Sequence, residues 1–204
     1  MSPIAKYNTL KELSEGLYKE KGSKFIAYAV ACYSEADAKN HIDEWKKMNH
    51  QARHLCYAYR FGVDKKKYRT NDDGEPSNSA GAPILGQIES YNLTNVLIGV
   101  VRYFGGTKLG VGGLITAYRS AAKDAIENGD VIELEVHHWY VIQFDYLDMP
   151  YIMNILKKYE IELTDKKMEE ACSLKIRLTL SMHDEVITSL KNYYSVKLND
   201  LGIY

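Results

Sequence analysis

The chain has 204 residues, 46% of them hydrophobic and 26% charged, the balance of a polypeptide that folds around a core rather than one that stays disordered. A formal net charge of -1 excludes a global basic field, so a polyanionic partner has to be met by a local patch. No stretch stays apolar for the roughly 20 residues that span a bilayer, and "MSPIAKYNTLKELSEG" lacks the layout of a secretory signal, so the expected location is cytoplasmic with no membrane partner. The 3 cysteines, Cys32, Cys56 and Cys172, are too scattered for a disulfide framework or a CxxC zinc site.

In chain order, "SKFIAYAVACY" (23 to 33) reads as a strand. Ser34 and Asp37 then resemble a capping box opening a helix whose Ala38, Ile42, Trp45 and Asn49 share a face. "RHLCYAYRFGV" (53 to 63) alternates as a strand and places His54 and Cys56 on one side, with β-carbons roughly 6 to 7 Å apart, too far for a relaxed thiolate–imidazole pair. Residues 65 to 85, with two prolines and two glycines, are too long and polar for a simple connection and are expected to be a functional loop. "NVLIGVVRYF" (95 to 104) is apolar enough for a central buried strand. It runs into "GGTKLGVGG", after which Leu114, Tyr118, Ala121 and Ala125 line one side of a helix that Gly129 ends.

The turn-like "ENGD" (127 to 130) marks the division of the chain. Through Glu135 there are 18 Lys+Arg against 17 Asp+Glu; beyond it, 8 against 10. The second part reads as strand (138 to 146), helix (149 to 160, Pro150 in its first turn), strand (161 to 167), strand (172 to 182), helix (184 to 194) and strand (196 to 201). In the second-last strand Leu174, Ile176, Leu178 and Leu180 alternate with Lys175, Arg177 and Thr179, one wet face and one dry. The order βαββαβ is that of a ferredoxin-like domain.

The glycine cluster is the first candidate site. Glycines 105, 106, 110, 112 and 113 lie between a strand and a helix start, where unpaired amides carry partial positive charge and suit a phosphate or carboxylate. Arg102, Lys108 and Arg119 add full charges nearby. The same missing side chains would equally serve a tight turn and close helix-on-sheet packing. Neither nucleotide fingerprint fits: GxGxxG from Gly110 meets Ile115 where a glycine is required, and the Walker pattern from Gly105 meets Val111 where it requires lysine. The second candidate is "NDDGEPSNSAG" (71 to 81), whose Asp72, Asp73 and Glu75 could take a hard cation or pair with arginines, or form a structured turn.

Together, "SKFIA", "HLCYAYR", "NDDGEP", "AGAPIL", "VVRYFGGTKLGVGGL" and "AY" (117 to 118), in this order, resemble the YigZ/Impact family of bacterial proteins and eukaryotic translation regulators. The resemblance implies an α+β protein of two domains. Residues 1 to 133 would be an Impact-type N-terminal domain, a mixed α/β sandwich of the ribosomal protein S5 domain 2-like kind; residues 134 to 204 would be a ferredoxin-like domain similar to those of elongation factor G. It also implies a non-catalytic role in translation, contacting RNA, the ribosome or a translation-associated protein through the glycine loop with Arg60, Arg102, Lys108 and Arg119. No cofactor is expected, and the sequence sets no oligomeric state. The competing expectation is an enzyme acting on a phosphorylated or carboxylated small molecule, with the glycine loop as anion site and Asp72, Asp73, Glu75 or His54 as metal, base or ligand group. Two departures stand out: Asn78 and Ser79 occupy the family's usual Gly-Thr positions, and Thr116 replaces an arginine, removing a positive group beside the loop.

Overall fold

A computed structural model describes residues 6 to 168 and 171 to 203. The chain forms two compact units, one of residues 7 to 134 and one continuing from Glu135.

The first unit is built on a five-stranded antiparallel sheet. Its strands are β2 (Ser14–Glu20), β3 (Ser23–Ala31), β4 (His54–Phe61), β5 (Lys67–Asn71) and β6 (Val96–Tyr103), in the order β2-β3-β6-β4-β5. Helix α1 (Glu35–Met48) covers one face, and α2 (Gly81–Ser90) and α3 (Gly110–Glu127) cover the other. This double cover explains the unbroken apolar run of β6, whose residues 96 to 102 are all buried. It also explains Gly99, where a β-carbon would stand 2.7 Å from the Trp45 ring. Two short strands, β1 (Lys6–Leu10) and β7 (Val131–Glu135), pair separately.

The Ser34 cap forms as expected: its side chain accepts from the Asp37 amide at 3.1 Å, and Ala38, Ile42 and Trp45 are buried behind it. Ser34→Ala should therefore cost about 1 kcal/mol in urea denaturation.

Two elements stand where the sequence reading placed a loop over residues 65 to 85: β5, and α2, which begins in that stretch and runs on to Ser90. Strand β5 is polar and solvent-exposed at the sheet edge, so it lacks the alternation that marks a half-buried strand. Helix α2 carries Gly81, Pro83 and Gly86 in ten residues, a composition that reads as turn. Tertiary packing overrides it: Ile84 and Ile88 are fully buried.

The second unit runs β8 (His137–Asp145), a 3₁₀ turn (Tyr146–Asp148), α4 (Met149–Lys158), β9 (Leu163–Met168), β10 (Ala171–Thr179), α5 (His183–Lys191) and β11 (Lys197–Ile203). The sheet order β11-β8-β10-β9, all antiparallel, is the ferredoxin-like arrangement expected from the pattern. Leu174, Ile176 and Leu178 pack with Ile142, Phe144, Ile152, Leu156, Val186 and Leu190 in its core. No helix among the described residues is long and apolar enough to cross a membrane.

Candidate functional site

In the first unit, the acidic loop before α2 and the glycine loop before α3 form opposite walls of one cleft of about 470 Å³. Glu75 and Pro76 line one side; Lys108, Leu109, Gly110 and Val111 line the other; Arg53, His54, Arg102, Phe104 and Leu114 complete it.

The cleft floor is a buried ion pair. Arg102, at the end of β6, donates from Nη1 to Glu75 Oε1 at 2.6 Å, with side-chain exposures of 9% and 5%. Tyr118, fully buried on α3, donates its hydroxyl to the same oxygen at 2.8 Å. The guanidinium lies between the rings of Phe25 and Phe104, 5.6 and 5.5 Å from their centroids. Its Nε is buried and has no hydrogen-bond partner. An orphan donor on a charged group is costly.

The neighbouring acids are spent on the backbone. Asp72 Oδ1 accepts from the amides of Ala80 and Gly81 at 3.0 and 2.8 Å, and Oδ2 from Asn78 at 2.9 Å, so its carboxylate ties down the start of α2. Asp73 Oδ2 accepts from the Leu55 amide at 2.7 Å, and its carbonyl lies 2.6 Å from His54 Nδ1. A carbonyl only accepts, so His54 carries its proton on Nδ1. Among the described residues, no three His, Cys, Asp or Glu side chains converge as a metal-ligand set. Cys56 is fully buried, its Sγ donating to the Asp72 carbonyl at 3.0 Å. Burial, with the nearby acids adding, pushes its thiol well up despite the Tyr118 hydrogen bond, which removes it as a thiolate nucleophile.

The five glycines divide by physical cause. A β-carbon at Gly105 would fall 1.8 Å from the carbonyl carbon of Gly22, so that glycine allows two turns to touch. At Gly113 it would meet the Leu109 β-carbon at 3.0 Å. Gly106 and Gly110 take φ of +88° and +71°, which L side chains avoid. Gly112 alone has neither reason: its β-carbon would meet nothing within 4 Å. The turn is exposed at Gly110, Val111 and Gly112, and no side chain caps α3. Its first amides therefore face solvent without a protein acceptor from a capping side chain.

Two expected site residues lie elsewhere. Arg60 is buried, donating to the carbonyls of Leu93 and Ile88 and so holding the end of α2. Arg119 lines a separate hollow with Asn78, Pro83 and Gln87. Of the two departures, Ser79 is fully buried and donates to the Pro76 carbonyl at 2.6 Å, and Thr116 donates to the Gly112 carbonyl at 3.1 Å. Sequence reasoning missed Arg53 and Phe104: Arg53 sat at the edge of an assigned strand, and Phe104 lay inside a matched block without being read as a site residue.

The fold defines a two-domain α+β protein whose first unit carries a cleft lined by Arg53, Arg102 and Lys108. The chain belongs to the Impact family: residues 21–126 match the Impact N-terminal domain. It is 34% identical over 159 residues to the Impact family member YvyE of Bacillus subtilis, spanning 78% of this chain and 73% of that one. A Thermus thermophilus family member is 35% identical over 158 residues, spanning 76% and 84%. A crystal structure titled as a hypothetical protein shares the fold with a TM-score of 0.75 at 24% identity, covering 96% of this chain and 97% of that one.

Proposed function

We propose that this chain is a non-catalytic, translation-associated binding protein that holds a phosphate group of RNA in the cleft between its glycine loop and its Asp-Asp-Gly-Glu loop. The translational setting follows from the family; the binding chemistry follows from the cleft. One observation carries it: the uncapped, exposed start of α3 shares the cleft with Lys108, Arg53 and Arg102. Glu75 and Arg102 neutralise each other as an ion pair, so the net positive charge of the cleft comes from Lys108 and Arg53.

A labelled single-stranded oligouridylate, followed by fluorescence anisotropy, tests the reading. Binding at low ionic strength should weaken linearly in log–log form as salt rises, and Lys108→Ala should flatten that slope by about 0.7, the value of one lost single-strand phosphate contact. Absence of binding at low ionic strength contradicts the proposal.

The cleft's volume of about 470 Å³ also falls in the range of small-molecule sites, which favours a second reading as an enzyme on a phosphorylated metabolite. Glu75 would be its base, but Oε1 of that carboxylate already accepts two hydrogen bonds. Turnover of a phosphorylated compound, lost in a Glu75 variant that still folds, would establish that reading instead.

A further inference from the structure

Two more hollows in the first unit lie on the α1 side of the sheet, and each shares lining residues with its neighbour, so the three follow one another around the end of β4. Arg53 and His54 line both the cleft and a second hollow of about 360 Å³. Lys46 and Asp73 line that second hollow and a third of about 490 Å³, between α1 and the outer strands β4 and β5. Each step carries positive charge: Arg102 and Lys108 in the cleft, Arg53 and Lys46 in the middle, Lys39 and Arg69 at the far end.

The acids along this path are already engaged. Glu75 pairs with Arg102, Asp73 accepts from the Leu55 amide with Lys46 at 3.9 Å, and Glu35 pairs with Lys67 at 3.2 Å. On a chain of net charge -1, this is a concentrated cationic strip. Aromatic faces stand at both ends: Phe104, 55% exposed, in the cleft, and half-buried Tyr57, stacked on Tyr59 in the third hollow. Opposite Tyr59 in the sheet stands Arg69.

We propose that the groove is a track for single-stranded RNA several nucleotides long, running from the glycine-loop cleft past Arg53 and Lys46 to the Tyr57–Arg69 hollow. This rests on the cleft being a phosphate site and extends it. Repeated cations spaced along a groove match a chain of phosphates, and aromatic faces at its ends match unpaired bases without reading their sequence. An acidic peptide would use the cations and leave the rings without a partner of their own kind.

The test compares oligouridylates of two and eight nucleotides with the full chain and with Lys39→Ala/Arg69→Ala, both of whose native side chains are solvent-exposed. The eight-nucleotide RNA should bind at least tenfold tighter than the dinucleotide. The double variant should lose that gain and flatten the salt slope by about 1.4, two single-strand phosphate contacts, while leaving dinucleotide binding unchanged. Equal affinity for the two lengths, or a double variant indistinguishable from the parent, overturns the track and leaves the cleft reading standing. Failure of both RNAs to bind removes the two together. Displacement of the longer RNA by polyglutamate as effectively as by unlabelled RNA would assign the groove to an acidic protein partner and also overturn the proposal.

Discussion

Glu75→Ala should destabilise the protein by about 3–5 kcal/mol in urea denaturation, the cost of leaving a buried charge without its partner. Among the described residues the carboxylate is the one ion-pair partner of Arg102, whose side chain is 9% exposed, and it also accepts the Tyr118 hydroxyl from the core. Removing it strands a guanidinium and a phenol together. The informative companion is Glu75→Met/Arg102→Met, which replaces both charges with apolar side chains that suit the surrounding Phe25, Phe104 and Leu114. Such exchanges of a buried pair are often neutral or stabilising. The double variant should recover most of the loss and stay about 1–3 kcal/mol below the parent, because the Tyr118 hydroxyl still lacks its acceptor. If it also loses RNA binding, the pair is there to hold a cation in the cleft and not to hold the fold together. A double variant as unstable as Glu75→Ala would show that the pair's contribution is structural.

Gly105→Ala and Gly112→Ala should move stability in opposite directions although they lie in the same loop-to-helix turn. The methyl at 105 would sit 1.8 Å from a backbone carbon of Gly22 and 2.2 Å from the Ser23 nitrogen, and no side-chain rotation relieves a collision with backbone. A loss of about 3 kcal/mol or more is expected, beyond ordinary overpacking. At 112 the methyl meets nothing, and alanine in a helix is favoured over glycine by about 0.5–1 kcal/mol. Thermal or urea unfolding reads both signs. Because Gly112→Ala folds at least as well as the parent, a severalfold loss of RNA affinity in that variant reports on the space over the first turn of α3 rather than on folding.

Much of this architecture was legible in the sequence where one residue pattern had one physical meaning. The alternation through Leu174, Ile176 and Leu178, with helices on either side, gave the ferredoxin-like unit because a half-buried strand can satisfy that pattern only one way. Residues 96 to 103 read as a central strand because a sheet covered on both faces demands continuous apolarity. The edge strand β5 and the helix α2 were hidden for the converse reason: an exposed edge needs no alternation, and α2 is held by Ile84 and Ile88 and by the distant Asp72 carboxylate rather than by propensity. The glycine loop was visible as a cluster, but two of its members serve close packing, two a positive φ and Gly112 neither, which only coordinates separate. Arg60 and Arg119 could not be sorted from Arg102 by sequence, since Arg60 and Arg102 both lie in matched blocks, Arg119 directly follows one, and only the turn of the chain decides which enters the cleft.

The most direct measurement is an NMR titration of the ¹⁵N-labelled protein with a uridine dinucleotide. The account predicts saturable shifts of the backbone amides from Gly110 to Gly113 and of the Arg102 Nε–H, all with one dissociation constant. Saturation of the protein with RNA while those resonances stay in place would contradict it.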